Sequence, residues 1–405
     1  MNGIEDEKKQ QESMMEQNSV VGHFDELPLE TAVGGHQDNG EAVFAEEEVI
    51  PVQMAAVVYN GPGQPLSYRV DVQAPSEIPP GHVLVQITAA ALCRKDLYLE
   101  DGTINFGVAP IILGHEGVGI ILSVGVGVDE SRLGQRVIIY YHVGCGDCRW
   151  CRQGDEHLCS DMKAEYGFLN NGTLANYIVV PSRNAVAIPS TISNVQAAPI
   201  ACSIATAVHA AKLAQVKEGD WCVIYGVNGI GLSLVQLLKR EYGAKVMAIA
   251  RDPVRRKRAL ELGADGFVDS LYASEVANLA RAIIPDGADV VFECVGRRET
   301  LDACVGWQGI LGRRGKLILI GYASGEEHDF VCHPLPLIVK EQSVIGSCGA
   351  TLEDVNEAIQ YVSNGVIETT VDSQVPMENF QNALDRIENC ECTGKIVYMY
   401  TMKRI

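Results

Sequence analysis

Four thiols crowd one short stretch of this chain: Cys145-Gly146-Asp147-Cys148-Arg149-Trp150-Cys151, and then Cys159. Four thiolates in a single loop can close a tetrahedron around Zn²⁺ and leave no position open, the arrangement of a structural metal site. An iron–sulfur cluster also draws on closely spaced cysteines and is the competing metal reading. Thirteen cysteines in all, an odd number with no visible secretion signal, fit thiolate–metal chemistry in a reducing compartment better than a disulfide scaffold.

Further candidates are scattered. Cys93 stands in Ala91-Leu92-Cys93-Arg94-Lys95-Asp96, His115 in Leu113-Gly114-His115-Glu116-Gly117, and Cys202 in Ala198-Pro199-Ile200-Ala201-Cys202. Two cysteines and a histidine make the three-ligand, one-open-position set of a catalytic zinc. Taken singly, each is equally a buried core residue, and spacing alone does not join them. A third chemistry is suggested by Gly226-Val227-Asn228-Gly229-Ile230-Gly231, which follows the apolar run Trp221 to Tyr225 and opens a helical pattern. Such glycines let the backbone approach a pyrophosphate seated on a helix N-terminus.

Two kinds of element must position these residues. From Pro51 to Arg183 short apolar runs, such as Met54 to Tyr59, Val83 to Ile87 and Gly119 to Gly125, are broken by Gly-Pro and Pro-Pro-Gly, which predicts a mostly antiparallel β unit. From Ala197 onward helical patterns alternate with apolar strands at Trp221–Tyr225, Lys245–Ala250, 290–293 and 316–320, which predicts a doubly wound parallel sheet. A helix near 352–364 and a strand at 395–400 close the chain.

In combination and in order these motifs resemble the zinc-dependent alcohol dehydrogenase branch of the medium-chain dehydrogenase/reductase superfamily. The carrying residues are Cys93 with Asp96, Gly114-His115-Glu116 with Gly119 and Gly125, the four-cysteine lobe, and the Ala-Pro-x-x-Cys202 segment. The resemblance implies an α/β protein: a GroES-like, mostly-β catalytic domain over 51–204 and 343–405, and a Rossmann cofactor domain over 205–342. It also implies two zinc ions per chain. Cys93, His115 and Cys202 would bind the catalytic one, and Cys145, Cys148, Cys151 and Cys159 the structural one. Asp96 and Glu116 would stand behind the catalytic ligands and orient them. Arg94, Thr206, Gly226, Asn228, Gly229, Ile230, Gly231, Cys294, Val295, Gly321 and Tyr322 fall where relatives meet the dinucleotide. A homodimer or homotetramer in the cytoplasm, acting on a small-molecule alcohol or carbonyl, completes what the resemblance implies.

In such enzymes zinc polarises the substrate oxygen while hydride moves to or from nicotinamide, and a Ser or Thr two residues after the first cysteine starts a proton relay. Here Lys95 holds that position, and Tyr98 stands where a histidine often continues the relay. Lys95 can act as a general acid, turn to solvent or reach a cofactor phosphate. This departure keeps a second activity open, reduction of an activated C=C or C=N bond. A non-catalytic cofactor-binding homologue is disfavoured by the presence of all three ligands.

The acidic residue that bonds the ribose 2′-hydroxyl of NAD in relatives falls on Ala250, followed by Arg251-Asp252 and later Arg255. A missing acid with arginines nearby leans to NADP over NAD. Asn228 replaces the middle glycine of the loop, and asparagine tolerates left-handed backbone there.

The balance of 32 Lys and Arg against 52 Asp and Glu gives a net charge of −20, which argues against nucleic-acid or anionic-membrane partners. No uninterrupted apolar run reaches the ~18 residues of a membrane span. The first fifty residues hold acid runs such as Glu46-Glu47-Glu48 and no sustained period, the composition of a disordered acidic extension.

Overall fold

In the computed structural model, described for residues 50–104, 107–269, 273–322 and 330–400, two sheet systems divide the chain. The acidic extension expected over 1–50 lies outside the described residues, apart from Ile50.

The first system is β-rich. The long strand His82–Ala91 is its hub. It pairs antiparallel with Gly117–Val124, with Tyr177–Pro181 and with the C-terminal strand Lys395–Met399. Arg136–Ile139 and Ala185–Ala187 extend it on one side and Val371–Pro376 on the other. These runs carry Val, Ile and Leu at positions that become fully buried, such as Val83, Leu84, Val85 and Ile87. A smaller sheet, Ser67–Gln73, Gln53–Tyr59 and Ile111–Ile112, lies ahead of His115 in sequence.

The second system is a six-stranded parallel sheet in the order Gly266–Asp269, Lys245–Ala250, Trp221–Tyr225, Ala288–Glu293, Leu311–Leu319, Ser343–Gly346. Chain order runs third, second, first, fourth, fifth, sixth, the doubly wound arrangement whose ligand crevice opens where the order reverses. Strands buried on both faces need continuous apolar runs, and Cys222, Val223 and Ile224 are wholly buried. The sixth strand, Ser343–Gly346, pairs in parallel with Lys316 to Leu319. It therefore lies beyond the boundary expected at 342. Only Val344 and Ile345 in it are apolar, too short a run to mark a strand, and the neighbour's register supplies what the pattern lacks.

Helix 194–214 joins the systems. It is long and apolar enough to cross a membrane by length and composition, yet 83% of its apolar window is buried inside the fold, so it serves as a core helix. One turn within it, Ile200–Ile204, widens to a π-helix. Such turns recur at functional sites, and Cys202 sits in this one.

Candidate active site

The hub strand ends at Ala91, and the chain turns at Cys93 into the helix Arg94–Glu100. Cys93 occupies the N-cap, and Asp96 reaches back so that its Oδ2 accepts the Cys93 amide at 3.0 Å. This reciprocal cap satisfies an amide that the first helical turn leaves unpaired, and it fixes Asp96 beside the imidazole: Asp96 Oδ1 stands 3.5 Å from His115 Nδ1. His115 follows Gly114, whose φ of +92° suits glycine and whose backbone packs against Leu174 with no room for a side chain. Cys202 arrives from the π turn. Cys93 Sγ, Cys202 Sγ, a His115 ring nitrogen and a Glu116 carboxylate oxygen then all lie within 4.8 Å of one another.

The chemistry of this donor set suits a divalent cation. His115 is fully buried, and neither ring nitrogen has a hydrogen-bond partner. The closeness of the two thiols holds Cys93 well below its ordinary range and pushes Cys202 well above. Two thiolates this close repel unless a positive charge lies between them. Burial opposes the His115 cation, but the nearby Asp96 carboxylate and Cys93 thiol outweigh it and lift the ring to about 10. Burial raises Glu116 to about 8 against the pull of Lys395, whose ammonium donates to Glu116 Oε1. Two Cys, one His and a nearby carboxylate are zinc-type ligands.

The lobe fits a metal even more directly. All four cysteines are free thiols, and Sγ separations are 3.9 Å for Cys145–Cys151, 3.5 Å for Cys148–Cys151 and 3.8 Å for Cys148–Cys159. Zn–S bonds of about 2.3 Å put tetrahedral sulfurs roughly 3.8 Å apart. Backbone amides of Cys145 and Cys148 donate to Cys159 and Cys145 sulfurs at 3.3 Å. Amide donors around Cys145, from Cys148 and Asp147, lower its thiol to about 7.

At the crevice of the parallel sheet, Gly226 adopts φ +96°, and a side chain on Gly231 would strike the Gly226 carbonyl. The loop therefore needs both glycines. Asn228 corrects an expectation: its backbone is extended (φ −136°) rather than left-handed, and its Oδ1 accepts the Gly394 amide at 2.6 Å. The side chain is pinned to the β half. Gly229 and Ile230 open the helix Gly229–Arg240, and Thr206 is buried near the start of Ala205–Ala214. The Cys294-Val295-Gly296 turn packs on Gly321-Tyr322 so closely that a side chain on Gly321 would meet the Cys294 carbonyl carbon. Buried Glu293 holds that turn, accepting from Val295 N, Gly296 N and Thr300 Oγ1 at 2.8–3.0 Å.

Several expected site residues are engaged elsewhere. Tyr98 donates its hydroxyl to the Tyr322 carbonyl at 2.7 Å, with the two rings 4.9 Å apart. A hydroxyl so committed is not poised as a relay. Arg94 is turned onto the Ile387 carbonyl and Cys390 Sγ. Arg255 donates to the carbonyls of Cys390 at 2.7 Å and Cys392 at 3.0 Å. Asp252 caps the helix Pro253–Glu261 through Val254 N at 2.8 Å. Ala250 ends its strand buried and Arg251 follows exposed, so the end of the second strand carries no carboxylate of its own. Lys95 lies over two aromatic rings, 6.0 Å from the centre of Tyr141 and 5.5 Å from that of Phe168.

Sequence reasoning did not single out Lys395, Tyr141, Phe168, Glu165 or Glu293 as site residues. Lys395 left one signal, a charged residue at the head of the otherwise apolar run Ile396-Val397-Tyr398.

Two family models match the chain: "Alcohol dehydrogenase GroES-like domain" over residues 79–190 and "Zinc-binding dehydrogenase" over 229–364. An alcohol dehydrogenase of Geobacillus stearothermophilus is 30% identical over 358 residues, spanning 85% of this chain and 99% of that protein. Among solved structures, the alcohol dehydrogenase of the archaeon Aeropyrum pernix superposes with a TM-score of 0.78 at 29% identity, covering 85% of this chain and 99% of that one. A zinc-binding dehydrogenase of Sinorhizobium meliloti 1021, solved bound to NADP, gives a TM-score of 0.75 at 27% identity, with 86% and 99% covered.

Proposed function

Because the chain belongs to the zinc-dependent alcohol dehydrogenase family of medium-chain dehydrogenases/reductases, we propose that it works with two zinc ions and prefers NADP. The enzyme is a zinc- and nicotinamide-linked oxidoreductase that interconverts an alcohol and an aldehyde or ketone. The observation that carries the catalytic assignment is the convergence of Cys93, His115 and Cys202 within 4.8 Å from three separate elements. Zinc bound there supplies Lewis acidity toward the substrate oxygen.

The chain's own residues do the positioning. Asp96 orients the His115 ring through Nδ1, and Lys395 balances the charge of Glu116. Gly226 and Gly231 let the backbone approach a pyrophosphate at the N-terminus of Gly229–Arg240. The Gly296 and Tyr322 turns, packed closely on each other, would hold the nicotinamide half of the dinucleotide. Support for NADP comes from the strand end Ala250-Arg251, which offers a guanidinium and no carboxylate. With Tyr98 tied to Tyr322, Lys95 is the one of the two expected relay groups left to touch substrate. Self-association through the cofactor half is supported by the exposed Trp307, Leu335 and Ile338 near the edge strand Ser343–Gly346.

Purified protein assayed with a panel of alcohols and aldehydes, with NADPH and NADH, tests this together with metal analysis. Two zinc ions per chain and turnover favouring NADPH are expected; equal or better turnover with NADH would overturn the cofactor preference.

A further inference from the structure

Lys95 carries a charge that no hydrogen bond or ion pair meets among the described residues. Other buried or half-buried lysines here are paired: Lys340 donates to the Gly306 and Trp307 carbonyls, Lys212 to Asp354 and Glu357, and Lys395 to Glu116. The Lys95 ammonium, by contrast, forms no hydrogen bond or ion pair among the described residues and rests only on the faces of Tyr141 and Phe168. The carboxylate that faces it, Glu165, leans instead toward His142 Nδ1 at 3.9 Å. Tyr141 is 2% exposed, and its hydroxyl likewise has no hydrogen-bond partner among the described residues.

These two donors stand beside the reacting centre. The same two rings that carry the ammonium flank His115, with centroids 5.0 Å away for Tyr141 and 5.1 Å for Phe168. A donor partly withdrawn from bulk water and without a protein acceptor is left for solvent or a ligand to satisfy. Aromatic faces attract an ammonium but accept no proton from it. A carboxylate would accept from both groups, in the charge-assisted geometry that makes such bonds strong.

We propose that Lys95 and Tyr141 form the recognition site for an anionic group on the substrate, so that the enzyme's own alcohol/carbonyl pair carries a carboxylate close to the reacting carbon. The substrate class is thus short hydroxy acids and oxo acids, and the assignment rests on the alcohol/carbonyl reading above. Lys95 is here a substrate-binding residue.

The test compares oxo acids (glyoxylate, malonic semialdehyde, succinic semialdehyde and glutaric semialdehyde) with their methyl esters, in kcat/KM, for zinc-loaded protein. The acid is expected to exceed its ester about 10- to 150-fold for the chain length that fits, the worth of a charge-assisted hydrogen bond. Lys95→Met should collapse that ratio toward one through KM, and Lys95→Arg should restore part of it. Calorimetric binding of succinate against succinamide gives a second readout that needs no turnover. Equal use of acid and ester by the unmodified enzyme overturns the anion site while leaving the dehydrogenase reading intact. A Lys95→Met variant that changes the KM for NADPH but not the acid-to-ester ratio also overturns it, placing the lysine on the cofactor. If no carbonyl reacts with either cofactor, the activity reading fails, and Lys95-dependent succinate binding would still support the anion site; absence of that binding sinks both.

Discussion

The Lys395 ammonium donates to the Glu116 carboxylate directly behind the cysteine–histidine cluster, and both side chains are buried. A buried pair of this kind is strongly destabilised when only one member is removed. Lys395→Met should lower unfolding free energy by about 3–5 kcal/mol, because Glu116 is left as an uncompensated carboxylate. Adding Glu116→Gln should return much of that loss. Urea unfolding of the two single variants and the double variant measures the coupling, and additive losses would show that the pair is not a unit.

Tyr98 separates a structural bond from a proton relay. Its hydroxyl is committed to the Tyr322 carbonyl, so Tyr98→Phe should cost about 1 kcal/mol of stability, as for one net hydrogen bond. The rate should fall less than about tenfold, with the pH profile unmoved, whereas loss of a general acid–base group removes roughly 10²–10⁴. Steady-state pH profiles of the variant distinguish the two.

Metal content should divide cleanly between the two thiol clusters. Cys159→Ser opens the lobe and is expected to leave one zinc per chain and a lower Tm, since metal binding there contributes folding free energy. Cys202→Ser should keep the lobe zinc and near-normal unfolding while turnover collapses. Metal analysis alongside thermal unfolding checks both. A Cys202→Ser protein with full activity would place the chemistry elsewhere.

Glu293 makes stability depend on pH. Burial raises its carboxyl to about 7, above the 4.5 of an exposed glutamate. Below about 4.5 it is protonated in both states. Between 4.5 and 7 the unfolded chain releases the proton that the folded chain retains, so this group's contribution falls as pH rises, by about 3 kcal/mol in full. Glu293→Gln keeps an acceptor for Val295, Gly296 and Thr300. Its stability relative to the unmodified protein should therefore grow from pH 5 to pH 8 by about that amount. A difference that stays constant across the range would contradict the raised carboxyl.

Local features were legible in the residue pattern alone. The lobe depends on four cysteines in one loop, and a loop closes on a metal without help from the rest of the chain. The same holds for the strand Trp221–Tyr225, the glycine loop and the helix after it, since a tight turn between two periodic segments is a short-range property. The strand Lys245–Ala250 and the helix near 352 follow their own periodicity in the same way.

What lay beyond the sequence was decided by register and packing. Cys93, His115 and Cys202 could be joined only through resemblance, because each arrives from a different element. Tyr398 pairs with Ala90 across the C-terminal strand, and that register brings Lys395 to the Leu92 carbonyl and the Glu116 carboxylate. Arg255 and Asn228 looked like cofactor contacts by position, yet the 390–394 turn offered them carbonyls and an amide. Which acceptor a long polar side chain finds depends on what the tertiary fold places within reach, and no local pattern encodes that. The donor types of the metal sites were thus a property of the sequence itself, whereas Lys95 lacks an ion-pair partner because the folded chain sets two aromatic rings beneath it and turns the Glu165 carboxylate toward His142.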